Sequence, residues 1–250
     1  MEALLEVREL SLRFGGITAL SQIGLAVAEG ETLAVIGPNG SGKTSLFNCI
    51  TSIYRPTSGA ISFRGEPLTR HSPDEVTRLG IARTFQNLSL FHNMSVLDNL
   101  MVGRHLHFRK NLLAAVLRLR GEETRHRRRC EEIVEFLNLE PVRKTRAGDC
   151  PYGVQKRVEL GRALATEPRL LLLDEPVSGL TQEEKEEFAY WIHEIRGRFG
   201  ITILLVEHDL RVASRLAGRM VALDHGVKIA EGTPAAVQRH PDVIKAYLGE

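Results

Sequence analysis

The sequence has few cysteines and few aromatic residues, and it has no long apolar run. Its three cysteines, Cys49, Cys130 and Cys150, are odd in number and show no spacing typical of a metal site. This favours a reduced, cytosolic protein. No segment approaches the roughly 20 apolar residues that a membrane-spanning helix requires. The opening residues, MEALLEVREL, lack the basic flank and the cleavage site of a secretory signal. We therefore expect a soluble, cytosolic chain.

An excess of one charge is also missing. The 33 Lys and Arg residues are nearly matched by 31 Asp and Glu residues, so the net charge is only +2. This balance argues against a chain that binds nucleic acid over its whole surface. The length of 250 residues and the apolar fraction of 43% are those of a globular protein with a substantial core.

Apolar patterns divide the chain into three parts. The first third is strand-like, with partial alternation over residues 4–14 and 17–30 and a short apolar run, ETLAVIG. From about Pro73 to Glu140 the period is mostly helical. Helices and strands then alternate, with helices predicted at 153–166, 181–198 and 209–216 and strands at 170–174, 201–206 and 219–223. We therefore expect an α/β core with a parallel sheet covered by helices and a helical subdomain inserted into it.

The segment GPNGSGKT, from Gly37 to Thr44, matches the pattern G-x-x-x-x-G-K-[ST] between an apolar strand and a helical pattern. Its glycines allow successive N–H groups to point at phosphate oxygens. Lys43 supplies positive charge for the β- and γ-phosphates, and the Thr44 hydroxyl is a suitable Mg²⁺ ligand. The predicted nucleotide-binding residues are Gly37, Pro38, Asn39, Gly40, Ser41, Gly42, Lys43, Thr44 and Ser45.

A Mg–nucleotide site also needs a carboxylate at the end of a neighbouring buried strand. The segment RLLLLDEP provides Asp174 and Glu175 after four leucines. We predict that Asp174 holds Mg²⁺ through water and that Glu175 polarises an attacking water. A P-loop kinase would also need an acceptor-substrate motif, and we identify none.

These motifs, with Gln86 in ARTFQN and His208 in LLVEHD, resemble in order and spacing those of the ATP-binding-cassette (ABC) ATPases, over nearly the whole chain. The resemblance implies one ABC ATPase domain over residues 1–250. Its fold would be a P-loop NTPase core with a mixed sheet, an N-terminal antiparallel β region and a helical subdomain inserted at about 87–152.

The same resemblance implies ATP and Mg²⁺ as cofactors and assigns further roles. Gln86 would contact Mg²⁺ and the attacking water and relay to the membrane partner. His208 would contact the γ-phosphate, and Phe14 in LRFGG would stack on adenine. The predicted catalytic residues are thus Glu175, His208 and Gln86, and the predicted metal ligands are Thr44, Gln86 and Asp174.

Longer segments resemble one branch of the family, the larger ATPase subunit of branched-chain amino-acid uptake systems. They are FGGITAL, ARTFQNLSLFHNMSVLDNL, the helical insert after Gly103, YGVQKRVELGRAL and PDVIKAYLGE. This implies an ATP-hydrolysing subunit, peripheral on the cytoplasmic face of the inner or plasma membrane, that powers import of branched-chain amino acids or similar small polar solutes.

The partners implied are polytopic permease subunits, a second ATP-binding subunit that is different or identical, and indirectly a solute-binding protein. Nucleic acid is not expected. Two alternatives stay open: a soluble cassette ATPase that acts on nucleic acid or ribosomes, and a regulatory cassette with weakened hydrolysis.

The segment CPYGV stands at the family's signature position, where Leu-Ser-Gly-Gly-Gln is usual, and the resemblance implies that its helix start contacts the γ-phosphate bound by the partner ATPase. Pro151, Tyr152 and Val154 depart from that pattern, and Gly153 is retained. Proline removes one N–H and brings no hydroxyl, and a hydrogen bond to a charged phosphate is worth roughly 1.5–3 kcal/mol. Either this chain completes its partner's site weakly, in a heterodimer with unequal sites, or the site works normally.

Thr181 in PVSGLTQEE stands where the family commonly has an aspartate that connects the two ATP sites. The aspartate that makes this contact between the two sites is therefore absent from this chain. Thr181 with Glu184 fits a capping box for the following helix, and we predict that structural role.

Residues 104–129 carry nine basic side chains against Glu122 and Glu123, for a net charge of +7. Leu112, Leu113, Val116 and Leu117 form an apolar stripe at helical spacing. Three interpretations stay open: a solvated helical face, contact with anionic lipid or a permease loop, and nucleic-acid binding. The last is disfavoured because Phe108 alone interleaves the basic residues.

Overall fold

A computed structural model describes residues 3–108 and 120–248, with side chains from Glu122 onward in the second range. The strands in these ranges are β1 (Ala3–Phe14), β2 (Ile17–Ala28), β3 (Thr32–Ile36), β4 (Ser58–Phe63), β5 (Glu66–Pro67), β6 (Ile81–Arg83), β7 (Leu170–Asp174), β8 (Thr202–Glu207), β9 (Arg219–Asp224) and β10 (Val227–Gly232). The α-helices are α1 (Lys43–Ile50), α2 (Pro73–Arg78), α3 (Val96–Gly103), α4 (Arg120–Phe136), α5 (Tyr152–Ala165), α6 (Gln182–Phe199), α7 (Leu210–Leu216), α8 (Pro234–Gln238) and α9 (Pro241–Leu248). Short 3₁₀ turns lie at Leu68–Arg70, Arg104–His107, Glu140–Val142 and Ala147–Asp149.

The larger sheet is mixed, with the strand order β10–β9–β3–β8–β7–β6. Its strands run parallel except β10, which pairs antiparallel with β9. Strands β3, β7 and β8 are buried along their whole length, which explains their continuous apolar sequences. Because β3, β7 and β8 are parallel, the segments that follow their carboxyl ends meet at one edge of the sheet.

The smaller sheet is antiparallel, with the order β2–β1–β4–β5. The mixed sheet has apolar clusters on both faces, because successive side chains of a strand point to opposite sides. In β3, Leu33 and Val35 pack with the smaller sheet and α1, whereas Ala34 and Ile36 pack with the helices of the other face. The mixed sheet is therefore the central layer of the fold.

The expected α/β core, mixed sheet and N-terminal antiparallel region are confirmed. The helix predicted at 153–166 is observed at Tyr152–Ala165, and the other predicted elements after it begin and end within one residue of the observed ones. One expectation is partly wrong: the mostly helical region from Pro73 to Glu140 contains strand β6. Three residues are too few for a period to show, and β6 forms because β7 offers it a free edge.

The basic segment is only partly described, and two of its arginines belong to the fold. Arg104 is buried, donates to the Ala165 carbonyl at 2.8 Å and pairs with Glu167 at 3.0 Å. Arg129 pairs with Glu132 and Glu167. Three other arginines are exposed, at positions 125, 127 and 128. The remaining basic residues and the apolar stripe lie outside the described residues or their described side chains: Arg109, Lys110, Leu112, Leu113, Val116, Leu117, Arg118 and Arg120.

Within the two described ranges, no helix combines the length and the apolar character needed to cross a membrane.

Candidate functional site

The loop between β3 and α1 is shaped by glycine. Gly42, which caps α1, has φ 101°, in the left-handed region that other residues rarely adopt. A Cβ atom there would lie 2.8 Å from the Ala19 carbonyl oxygen and 2.8 Å from a methyl of Leu20. A side chain at this position would therefore both strain the backbone and push the loop away from β2.

Lys43 folds back over this loop. Its buried ammonium group donates to the carbonyls of Gly37 at 2.7 Å and Pro38 at 2.8 Å. Burial lowers the pKa of Lys43, and the nearby carboxylates of Glu175 and Asp174 oppose that shift. An ammonium group has three N–H donors, so one donor is left for a ligand.

A cavity of about 460 Å³ opens beside the loop. It is lined by Asn39, Gly40, Gly42, Lys43, Thr44, Ser45, Gln86, Glu175, Ile17, Thr18, Ala19 and His225. This volume lies in the range of small-molecule sites. The Ser41 hydroxyl is buried without a hydrogen-bond partner, as expected of a loop built around an anion. The residues present therefore fit a triphosphate, and the Thr44 hydroxyl with nearby carboxylates fits Mg²⁺.

Gln86, His208 and Glu175 come together although they are far apart in the sequence. The Gln86 amide donates to Oε2 of Glu175 at 3.1 Å, and Nδ1 of His208 lies 3.5 Å from the same oxygen. Glu175 itself has φ 46°, a conformation that non-glycine residues rarely adopt and that often marks a functional site. The structure thus gathers the three residues predicted to be catalytic around one carboxylate oxygen beside the cavity.

Asp174, the predicted metal ligand, is held by a residue that the sequence reasoning missed. An N–H of Arg83 donates to Oδ2 of Asp174 at 2.7 Å. Both side chains are almost fully buried. The available signal in the sequence was a charged residue directly after the apolar pair Ile81–Ala82. This signal does not indicate which carboxylate the charged residue pairs with.

Two further missed residues, Lys156 and Glu159, lie on the inner face of α5. The Lys156 ammonium donates to the Gln86 carbonyl at 3.3 Å, and Glu159 accepts from the Phe85 N–H at 3.3 Å. Burial is the main cause of the lowered pKa of Lys156 and of the raised pKa of Glu159. Helix α5 therefore fixes the backbone around Gln86. Polar residues three apart among apolar neighbours were the signal for such a role.

Glu207 ends β8 beside the candidate site and was also missed. It is 1% exposed, and its Oε1 has no hydrogen-bond partner. Burial, with the negative charge of Glu175 as a second cause, raises the pKa of Glu207 to about 7. Glu207 therefore carries or releases a proton near neutral pH.

Phe14 lies at the end of β1, with 46% of its surface exposed. Its ring packs edge-to-face against Tyr54, with 5.1 Å between the ring centroids. Among the described residues that line the cavity, this region contributes Ile17 and Thr18 rather than Phe14. Adenine stacking by Phe14 stays a prediction.

The predicted signature segment forms the start of α5, and none of Pro151, Tyr152, Gly153 and Val154 is among the described residues that line the cavity. Pro151 is the N-cap residue, and the first intrahelical bond runs from Gln155 N–H to the Pro151 carbonyl at 3.0 Å. The N–H groups of Tyr152, Gly153 and Val154 therefore have no acceptor inside the helix. Pro151 and Tyr152 are exposed.

The close packing of Glu184 also explains why residue 153 is a glycine. A Cβ atom there would lie 2.1 Å from Oε1 of Glu184. Glu184 is occupied in the capping box of α6, where it accepts from the Thr181 N–H at 2.9 Å and its own N–H donates to the Thr181 hydroxyl at 3.3 Å. The predicted capping role of Thr181 is confirmed.

The sequence matches the ABC transporter family over residues 20–178 and a C-terminal family described as branched-chain amino acid ATP-binding cassette transporter over residues 227–250. One similar protein is the high-affinity branched-chain amino acid transport ATP-binding protein BraF of Pseudomonas aeruginosa, 39% identical, with 99% of this chain and 98% of BraF covered. Another is LivG of Escherichia coli K12, of the same description, 37% identical, with 100% and 99% covered.

Solved structures agree with these similarities. The ADP conformation of an ATP-binding cassette from an ABC transporter superposes with a TM-score of 0.88 at 30% identity, and 100% of each chain is covered. A nucleotide-free cassette gives 0.87, again at 30% identity and 100% coverage of both chains. With its P-loop cavity and a family match over more than half of its length, this chain is an ATP-binding cassette of the ABC transporter family, a family of transport ATPases.

Proposed function

We propose that this chain is the ATP-hydrolysing subunit of an importer for branched-chain amino acids or similar small polar solutes. The observation that carries the proposal is the convergence of Gln86 and His208 on Glu175 beside a P-loop cavity. The cargo is inferred from the full-length similarity to BraF and LivG. The alternatives of a nucleic-acid ATPase and a regulatory cassette are not favoured, because the similar proteins are transport ATP-binding proteins.

The predicted site residues take the following roles in the proposal. The segment from Gly37 to Ser45 holds the ATP phosphates, and Phe14 stacks on the base. Thr44, Gln86 and Asp174 hold Mg²⁺, which, when bound, neutralises charge on the phosphate oxygens.

Glu175 accepts a hydrogen bond from the attacking water and polarises it, because Glu175 lines the cavity. The Gln86 amide, which donates to the same carboxylate, holds it in place. His208 is half-exposed beside it, where it can reach the γ-phosphate.

We further propose that a second ATP-binding subunit, different or identical, completes each site. The bare N–H groups of Tyr152, Gly153 and Val154 would contact the γ-phosphate held by that partner. A bacterial ABC transporter cassette solved as a dimer supports the pairing of two cassettes; it has a TM-score of 0.79 at 26% identity, and 92% of this chain and 98% of that one are covered.

The permease subunits would dock into a groove of about 340 Å³ that is lined in part by Phe85, the residue before Gln86. Ile53, Val76, Phe85 and Val102 give it a mainly apolar lining, and Ile53 and Phe85 are exposed. In this proposal the chain lies on the cytoplasmic face of the inner or plasma membrane, with a solute-binding protein as an indirect partner and no nucleic acid. In this proposal residues 1–250 form one ATPase domain, and about 87–152 form its helical subdomain.

The test is a pulldown of tagged Glu175→Gln chain from native membranes with ATP and Mg²⁺, followed by mass spectrometry. Blocking hydrolysis should trap the ATP-bound assembly, so a polytopic permease and a second cassette subunit should be recovered. A matched control carries Lys43→Ala as well and should lose the cassette partner, because it binds ATP weakly. Recovery of soluble proteins or nucleic acid alone would contradict the transport function.

A further inference from the structure

Arg83, at the end of β6, has an almost fully buried side chain at the inner wall of the groove that we propose for the permease. Its side chain is 6% exposed, and it donates to Asp174 Oδ2 at 2.7 Å and to Asn48 Oδ1 at 2.7 Å. Its guanidinium carbon lies 5.4 Å from the ring centroid of Phe47 and 5.0 Å from that of Phe85. The group therefore joins α1, β7 and the segment that follows β6.

The strand register accounts for this pair. Arg83 is the β-partner of Leu172 in the parallel strand β7, and Asp174 is two residues further along that strand. Residues two apart in a strand point to the same face. The Arg83 side chain consequently meets the Asp174 carboxylate directly at the sheet edge where β7 ends.

Stability alone does not explain this arrangement. A buried ion pair is weak evidence for stability, because the cost of removing two charges from water offsets their attraction. Here the cost is higher still, since Nε of Arg83 is buried without a hydrogen-bond partner. The rings of Phe47 and Phe85 and the Asn48 amide nonetheless hold the guanidinium group in one orientation.

We propose that Arg83 is a positioning residue for the metal site. It fixes Oδ2 of Asp174, so that Oδ1 is the oxygen left to face the metal and its water shell. The inference rests on the proposed role of Asp174 in holding Mg²⁺. Residues that orient a metal ligand are typically worth roughly 10–100-fold in metal affinity.

Two effects of removing Arg83 have opposite signs and can be separated. Loss of a neighbouring positive charge would tighten Mg²⁺ binding, because like charges repel. Loss of positioning would weaken it, because the carboxylate would become free to turn away. The proposal requires the second effect to dominate.

The experiment titrates Mg²⁺ against purified full-length chain and a fluorescent, non-hydrolysable ATP analogue. We expect Arg83→Met to raise the Mg²⁺ midpoint about tenfold or more, with nucleotide affinity in EDTA unchanged. Arg83→Lys keeps the charge but cannot bridge two acceptors in a fixed fork, so it should raise the midpoint several-fold. Mn²⁺ EPR of the chain–nucleotide complex should show an altered ligand field in both variants.

The matched controls are Arg78→Met and Arg78→Lys. Arg78 forms an exposed ion pair with Asp74 at 3.2 Å, and both variants should leave the midpoint unchanged. Thermal unfolding verifies that each variant is folded. If Arg83→Met does not fold, Arg83→Lys and Asn48→Ala provide the test. Each variant makes the orientation of the cation beside Asp174 less fixed, and each keeps a positive charge there.

The variant Asp174→Asn tests the metal-holding role of Asp174 separately from the positioning role of Arg83. If it leaves the Mg²⁺ midpoint unchanged, the proposed role of Asp174 is wrong. If it raises the midpoint while folded Arg83 variants leave it unchanged or lower it, the positioning role of Arg83 is wrong.

Discussion

The P-loop site and the signature segment differ in how much of each is built within one chain. At the P-loop, Lys43, Gln86 and Glu175 are contributed by three separate segments and line a single cavity. At the signature segment, the start of α5 is exposed and its first N–H groups have no acceptor in the helix. In the proposed function, the first site binds phosphate with residues of this chain, whereas the second acts on a nucleotide that a partner holds. Substitutions in the P-loop site should therefore change ATP binding or hydrolysis by residues of this chain, whereas substitutions in the signature segment should change ATP affinity only in the assembled complex.

The largest expected effect comes from Glu175→Gln. Loss of a positioned base typically costs about 10²–10⁴-fold in rate, so ATP hydrolysis by the assembled complex should fall by that factor. ATP binding should persist, because Lys43 and the loop are untouched. Rates and nucleotide affinities should be measured together, with Glu183→Gln on the surface of α6 as the control. A rate within threefold of the original would contradict the role of Glu175.

Glu207→Gln should remove a pH dependence of stability. Between the unfolded pKa of about 4.5 and the folded pKa of about 7, the folded chain holds a proton that the unfolded chain has released. The free energy of unfolding therefore falls as pH rises through this window, by about 3 kcal/mol in all. Urea unfolding at pH 5 and pH 7.5 measures this loss, which the glutamine variant should largely lack. Parallel pH profiles of the two proteins would contradict the raised pKa.

Pro151→Ser bears on the signature segment alone. If this chain completes its partner's site weakly, restoring the N–H and the hydroxyl should raise ATP affinity in the assembled complex by roughly tenfold, about 1.4 kcal/mol. ATP binding by the isolated chain should not change. Pro151→Ala restores the N–H only and should give a smaller gain.

A serine at this N-cap position also stabilises the helix by about 1 kcal/mol, which thermal unfolding of the isolated chain would reveal. An unchanged affinity and ATPase rate in the complex would support the alternative that the site works normally as it is.

The smallest expected effect is that of Gly153→Ala. The new Cβ atom would displace the Glu184 carboxylate from 2.1 Å away and break the capping box of α6, at a cost of about 1 kcal/mol. Chemical denaturation measures this cost. Glu184→Ala should cost about the same, and the double variant should cost no more than either. Additive costs would show that Gly153 does not act through Glu184.

The sequence predicted well what contiguous residues determine. The P-loop pattern, the apolar strand before Asp174 and the helix after Pro151 are local, and each was placed within a residue or two. The strands of the N-terminal region also followed from their partial alternation, whereas their antiparallel pairing was implied by the family resemblance.

Residues that act across elements could not be predicted in the same way. The Arg83–Asp174 pair depends on the register of β6 against β7, and β6 is too short to show a period. Lys156 and Glu159 look like ordinary helix residues until the face of α5 that packs on Gln86 is known. Such contacts are set by topology rather than by local pattern.

Helix α5 has a mechanical consequence for the whole cycle. Its first turn offers N–H groups outward, and its second and third turns carry Lys156 and Glu159, which grip the backbone of Gln86 and Phe85. Because a helix moves largely as a rigid body, a displacement of its first turn also displaces Lys156 and Glu159. Contact of the helix start with a partner's nucleotide would thus shift the Gln86 backbone in this chain directly. ATP use by the two subunits should then be cooperative, with a Hill coefficient above one.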